Sequence, residues 1–307
     1  HLIFFKGACP LFDFSCKDPV ALNLWHVIAS CEELEEGNII CTRLLGDQVA
    51  FARDPSGEIA VWRYEHGTIP TLPEMADRLP VREKYNYIWT TFGTPTADIF
   101  GITEFDEADR RNIHAASIGV KVSAPRAIEN FLDMGHFPYI HTNILGVEPH
   151  TEVKEYFVDV SEERDEIIAT DCKFWQPMAS AASSEGAEVD YIYRVPHPYC
   201  SVLYKSSPED EKRLDAIAVF IQPIDEENVR AHMLLSLIDT INEDTAIRLF
   251  QQTIFGQDKP ILENQYPKRL PLDPRAETPI RADKSAIAYR RWLTRKGLTY
   301  GVIPAAA

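Results

Sequence analysis

The stretch Glu129-Asn130-Phe131-Leu132-Asp133-Met134-Gly135-His136-Phe137-Pro138-Tyr139-Ile140-His141 places two imidazoles and a carboxylate close together. A helix is expected to start near Ala124, with Pro125 suited to its first turn, and to run through Ile128, Phe131 and Leu132 until Pro138 disturbs it. Asp133 and His136, three residues apart, then share a helix face. His136 and His141 are five apart and would diverge on an ideal helix. Pro138 lies between them and, by displacing the backbone, lets the second ring turn back toward the first. Two imidazoles held this way suit a divalent transition metal. A pair of ordinary structural histidines is the plain alternative.

A second helical pattern runs from Glu243 to about Gln265. Phe250, Ile254, Asp258 and Ile261 fall on one of its faces, apolar except at Asp258. A carboxylate facing a core needs a partner, which a metal, a salt bridge or an N–H cap can each supply. Two histidines with one distant carboxylate form the facial triad of mononuclear non-haem iron, which leaves coordination positions open.

Around these segments the chain reads as α+β. Short strands with a turn at Asp54-Pro55-Ser56-Gly57 predict a small antiparallel unit, followed by a proline-rich loop over 64–84 and a strand at Tyr87–Phe92. Further strands are expected at Thr151–Val160, Asp165–Phe174, Val189–Val195, Cys200–Tyr204, Asp215–Ile224 and Val229–Ile238, and a basic helix at Ala286–Arg295. Consecutive strands without intervening helices imply an antiparallel sheet. The expected division is a β domain over 1–115 and a second domain over 116–307.

Composition removes several function classes. There are 31 Lys+Arg against 47 Asp+Glu, a net charge of −16, and no basic block to meet a phosphate backbone. No run approaches the roughly 18 apolar residues of a membrane helix. The six cysteines (Cys9, Cys16, Cys31, Cys41, Cys172 and Cys200) form no C-x-x-C pair, and none lies two residues from a histidine. That spacing argues against a zinc finger or a closely spaced iron–sulfur motif, and the low count points to a reducing compartment such as the cytoplasm. The start, His-Leu-Ile-Phe-Phe before Lys6, is too short an apolar run for a signal peptide.

The D-x-x-H-x(4)-H spacing, with Asn130 before it and Asp258 on a helix well downstream, resembles the catalytic domain of Rieske non-haem iron oxygenases. NFLDMGHFPYIHTNILG, FGQDKPILENQYPKRLPLDP and ADKSAIAYRRWL are similar to the vanillate-demethylase branch, and the likeness covers most of residues 20–300. With SAASSE and FQQTIFGQDKPIL added, the chain most resembles the members that remove the N7-methyl group of methylxanthines. The resemblance implies a helix-grip catalytic domain, a twisted antiparallel sheet wrapped on a long helix. It also implies Fe(II) ligands at His136, His141 and Asp258, a bridging carboxylate at Asp133, and a supporting hydrogen-bonding role for Asn130. The implied reaction is oxidative N-demethylation that yields formaldehyde. O-demethylation or hydroxylation of another aromatic, and a non-catalytic partner subunit, are the alternatives.

Members of that family bind a [2Fe–2S] cluster in the N-terminal domain through C-x-H and C-x-x-H pairs. Residues 42–81 contain His66 and no cysteine, so the cluster ligands are missing. The expectation is a degenerate Rieske-like domain whose electrons come from a Rieske-bearing reductase or homologous subunit, in a trimer-based homo- or hetero-oligomer. His150, His197 and His232 read as structural, and Tyr289-Arg290-Arg291-Trp292 as a helix that packs its aromatics and solvates two arginines. Asn143, Phe250, Gln251 and Ile254 are candidates for the substrate pocket by their nearness to the ligands.

Overall fold

The computed structural model describes residues 14–178, 186–207, 210 and 212–305. Cys9, the SAASSE motif and most of the expected turn at 208–212 lie outside the described residues.

A single-turn helix α1 (Pro19–Leu22), capped by Asp18, leads into six short strands: β1 (His26–Ser30), β2 (Ile40–Leu44), β3 (Asp47–Arg53), β4 (Ile59–Arg63), β5 (Val81–Lys84) and β6 (Tyr87–Thr90). They form two antiparallel sheets, in the orders β2-β3-β4 and β1-β6-β5. The expected turn joins β3 to β4, where Asp54 accepts the Ser56 N–H at 2.9 Å and Gly57 takes φ +89°. The proline-rich stretch conceals β5, a four-residue strand that buries no side chain fully and so has no apolar alternation to betray it.

The large sheet has seven strands: β7 (Arg111–Val120), β8 (Phe157–Ser161), β9 (Glu166–Gln176), β10 (Ala187–His197), β11 (Cys200–Ser206), β12 (Leu214–Pro223) and β13 (Val229–Leu237). Its order is β7-β13-β12-β11-β10-β9-β8, antiparallel throughout. A boundary after residue 115 therefore falls inside β7. The charged connector supplies that strand's first rung, Arg111 opposite Leu237, and the Arg111 guanidinium donates to the Asp239 carbonyl at 2.9 Å.

Four segments complete the architecture: α2 (Ala124–Leu132), α3 (Phe137–Ile140), α4 (Asp244–Asn264) and α5 (Lys284–Lys296). The long helix α4 is pinned along β7, where Arg248 and Gln252 donate to the carbonyls of His114 and Ala115 at 2.9 and 2.7 Å. Its buried positions are Ile247, Asp258 and Leu262. Ile261, expected on the inner face, is 47% exposed, because the four-residue step to Leu262 continues the stripe. The N-terminal and C-terminal parts share apolar cores: Trp25, Tyr87 and Trp89 pack in one cluster with Val202 and Phe220 of the large sheet. Among the described residues, no helix is long and apolar enough to cross a membrane.

The terminal helix corrects one expectation. Tyr289 and Trp292 pack inward and Arg291 is exposed, but Arg290 is buried. Its guanidinium donates to Glu129 of α2 at 2.6 and 2.9 Å and also reaches Glu277. Arg126 completes the network, with bonds to Glu129 at 3.2 Å and to Glu277 at 3.1 and 2.5 Å. Removing one member of a buried ionic set strands its partners. Glu129→Ala should therefore lower the unfolding free energy by about 3–5 kcal/mol in a denaturant titration. Glu277→Ala should cost less, because that side chain is 32% exposed and better screened. Equal losses would contradict this ranking.

Candidate metal centre

The first two ligands come from an interruption in the helix. Helix α2 starts on a Ser123 N-cap with Pro125 in its first turn and stops at Asp133, whose φ −85° and ψ 122° are extended. Asp133 is thus a C-cap residue, and His136 lies beyond the helix rather than on the same face. The two still meet: Asp133 Oδ1 accepts the Gly135 N–H at 2.7 Å, and the Oδ2 atom lies 2.9 Å from His136 Nδ1. Pro138 does not break a helix here. It sits in the first turn of α3, where a preset φ helps initiation. His136 and His141 are the two caps of that single turn, and so they converge. Gly146 packs directly on it, and a Cβ there would lie 2.7 Å from the Pro138 nitrogen.

Asp258 arrives from α4. His136 Nε2 and His141 Nε2 are 3.1 Å apart, and Asp258 Oδ1 lies 3.3 Å from the first and 3.1 Å from the second. Among the described residues, these three form the group of His, Cys, Asp or Glu whose ligand atoms all lie within 4.8 Å of one another. His141 is 1% exposed and Asp258 7%. Each ring is held from behind: His136 Nδ1 by Asp133, and His141 Nδ1 by Gln257 Oε1 at 2.9 Å. These acceptors assign the ring hydrogens to Nδ1, so both Nε2 lone pairs face the centre.

The centre then consists of three electron-pair donors with no hydrogen to share. Consistent with this, the buried Asp258 Oδ1 makes no hydrogen bond although two ring nitrogens lie within 3.3 Å. A cation resolves the conflict. Adjacent ligands on a six-coordinate ion with bonds of about 2.1 Å lie about 3 Å apart, close to the spacing seen. Two imidazoles and one carboxylate on one face, with the opposite face open, are the donor set of non-haem iron(II). With no ion, the site stabilises a proton instead. Burial pulls His136 down, but the carboxylates of Asp133 and Asp258 outweigh it and push the ring up to about 9. Burial likewise pushes Asp258 up, and the attraction of the two facing imidazoles for its charged form reverses this and brings it to about 2.

The triad opens into a cavity of about 750 Å³, counting its mouth, between α4 and the large sheet. Tyr191, Leu203, Val219 and Met233 form much of the apolar wall. Phe250, Gln251 and Ile254 line it, as does Asn130, which was expected from the sequence to support the ligands by hydrogen bonding. Among the described residues, the Asn130 side chain makes no hydrogen bond. Asn143 does not join them: it is exposed, with φ +64°, at a turn where its N–H bonds the Gly146 carbonyl at 2.8 Å. Closeness in sequence to His141 fails there because the chain leaves the site directly after α3. Gln257 and Lys205 were not selected from the sequence. Lys205 is the more legible of the two, since alternation along β11 gives it the inward side of Leu203.

Four other histidines among the described residues have structural partners. His232 bonds Gln222 and Ser117, His197 accepts the Tyr199 N–H, His150 stacks on Trp175, and His66 bonds Gln48 at the surface.

Comparison with known proteins places this geometry in context. The family described as vanillate O-demethylase oxygenase C-terminal domain matches residues 120–298. A Pseudomonas sp. (strain TJI-51) protein named probable methylxanthine N7-demethylase NdmC is 44% identical over 285 residues, spanning 93% of this chain and 98% of that protein. The solved structure of Pseudomonas putida CBB5 NdmA with caffeine superposes with a TM-score of 0.70 at 20% identity, over 90% of both chains. Dicamba monooxygenase bound to 3,6-dichlorosalicylic acid gives 0.71 at 17% identity, over 90% of this chain and 97% of that one. At these identities the two structures speak for the fold, an antiparallel sheet packed on a long helix.

Two substitutions test the centre. Asp258→Ala should abolish stoichiometric metal retention in elemental analysis while the far-ultraviolet circular dichroism is unchanged. Gln257→Ala, which frees the back of His141, should weaken metal affinity roughly 10–100-fold. Undiminished metal content in Asp258→Ala would remove that carboxylate from the ligand set.

Proposed function

Because the chain belongs to the vanillate O-demethylase oxygenase C-terminal domain family of Rieske non-haem iron oxygenases, we propose that it is an oxygenase component that removes an N-methyl group from a methylxanthine-like heteroaromatic substrate. The observation that carries this reading is the convergence of His136, His141 and Asp258 at one wall of an apolar cavity. Bound by these three residues, Fe(II) would supply dioxygen activation and oxidation of the methyl carbon, which leaves as formaldehyde.

The protein's own groups do the positioning. Asp133 and Gln257 hold the two imidazoles in one tautomer, with Nε2 inward. The apolar walls exclude water from the reacting edge of the substrate, which favours oxidation of a bound methyl over unproductive side reactions. Phe250 and Ile254, one turn apart on the ligand-bearing helix, flank a flat ring, while Asn130 and Gln251 offer amides at its edge.

Each turnover consumes two electrons, and we place their source on another polypeptide. What supports this is the disposition of Cys and His in the N-terminal part. His26 is buried, with Nε2 2.8 Å from the Ala21 carbonyl, and His66 is exposed. Cys31 and Cys41 lie outside residues 42–81, where the family's ligand pairs would fall. The donor is then a Rieske-bearing reductase or homologous subunit, within a trimer-based homo- or hetero-oligomer. Asp133 is the group through which its cluster communicates with the centre: one oxygen engages His136, and a third of the side chain remains exposed.

With a reductase that carries its own Rieske cluster, the protein should release formaldehyde from 7-methylxanthine over many turnovers. A reductase lacking that cluster should support none. Asp133→Asn should slow turnover by on the order of 10–100-fold. Full turnover without any Rieske domain, or consumption of methoxybenzoates while methylxanthines are inert, would overturn the reading.

A further inference from the structure

Strand β10 buries Val189, Tyr191, Tyr193 and Val195, and both tyrosines line the cavity shared with the three ligands. Their rings lie 6.0 Å apart, but their hydroxyls differ. The Tyr191 oxygen is engaged by the Gln176 amide. Among the described residues, the Tyr193 hydroxyl has no hydrogen-bond partner, although the residue is only 2% exposed. Tyr85, Tyr87, Tyr156, Tyr199 and Tyr289, buried elsewhere, each donate to a backbone carbonyl. Tyr193 pairs with Leu203 of β11, another cavity residue, and meets the Phe131 ring of α2 edge-on at 6.1 Å. Asn130, which precedes Phe131 on α2, is also unbonded and lines the same cavity. Two polar side chains are thus left open where α2 meets β10.

Packing alone does not account for the hydroxyl. A phenylalanine would fill the same wall and keep both ring contacts without leaving a polar group desolvated and unpaired. Burial holds the phenol well above its usual pKa, and the charge of Asp133 adds to this. Across the neutral range the group is therefore an intact O–H, able to donate. A methylated ring nitrogen has lost its own N–H, whereas ring carbonyl oxygens remain as acceptors. The ligand that complements this wall is one that brings such an acceptor to it.

Resting on the reading that this cavity receives an N-methylated heteroaromatic ring, we infer that the Tyr193 hydroxyl donates to a carbonyl oxygen of that ring and so fixes which edge lies toward β10 and which toward the triad. Tyr193 is then a specificity and positioning group and takes no part in the oxidation itself. A ring without carbonyl oxygens fits the cavity in shape but leaves the hydroxyl unpaired, the loss that makes hydrogen-bonding sites selective.

The test compares 7-methylxanthine with 7-methylpurine, the same bicycle without its two carbonyl oxygens. Calorimetric titration of the iron-loaded wild type should show the first bound roughly tenfold more tightly. Tyr193→Phe, which deletes only the hydroxyl, should weaken 7-methylxanthine roughly three- to tenfold and leave 7-methylpurine nearly unchanged. In steady-state assays the change should fall mainly on KM for 7-methylxanthine. A merely structural role would weaken both ligands alike. Equal wild-type affinities, an equal loss for both ligands, or no loss in Tyr193→Phe would overturn the inference. Should that variant not fold, Tyr193→Leu answers the same comparison, since the ratio between the two ligands is what is read. Formaldehyde release by the wild type, with undiminished 7-methylxanthine affinity in Tyr193→Phe, removes the Tyr193 assignment alone. A preference lost in the variant, from a wild type that releases no formaldehyde, leaves Tyr193 standing and removes the demethylation reading instead.

Discussion

Two imidazole nitrogens and a carboxylate oxygen, all presenting lone pairs, are held within 3.3 Å of one another in a nearly dry pocket. Left alone, such an arrangement is repulsive and poorly solvated. It persists because the surroundings over-determine it. The turn of α3 is clamped between the Asp133 cap and Gly146, and α4 is fixed along β7 by side-chain bonds to strand carbonyls. The ligands thus come from rigid elements, and only the short connection between α2 and α3 is irregular. An ion entering such a site would find its ligands already arranged, with no reorganisation of the backbone.

The same logic explains why so much ionic structure lies near Asp133. Arg126, Glu129, Glu277 and Arg290 join α2, α5 and the segment before α5 into one unit. Such a network adds little net stability over an apolar core, but it penalises any displacement of α2. Since α2 ends in the residue that orients His136, the network holds the geometry of the centre. The N-terminal part serves differently. Its aromatic residues are buried against the large sheet, and Tyr87 donates to the Met233 carbonyl at 3.0 Å. A domain bonded in this way contributes to the core whether or not it carries a redox centre.

Much of this was legible in the sequence. Five of the six later strands were readable because each buries an alternating or continuous apolar set, whereas Phe157–Ser161 buries none of its side chains and the strand expected from Thr151 begins only there. The grouping of His136, His141 and Asp258 was signalled by a lone carboxylate on an apolar helix stripe, which demands a partner. What escaped notice had physical causes. The strand Val81–Lys84 has no amphipathic pattern. Arg290 reads as solvated until its tertiary partner Glu129, far away in the chain, is known. Gln257 supports His141 across two helices, and no local spacing signals that contact. Asn143 was selected by adjacency, which a turn of positive φ defeats. The spacing argument for Asp133 and His136 reached the right pair through the wrong geometry, a cap and its following turn instead of a helix face.

The central claim is that His136, His141 and Asp258 together hold one iron, with no sulfur ligand. Iron K-edge X-ray absorption on the purified, iron-loaded protein addresses this directly. The account predicts a single shell of nitrogen and oxygen neighbours at about 2.1 Å, with no iron–iron scattering. A shell of sulfur at about 2.3 Å, or a second iron beside the first, would contradict it.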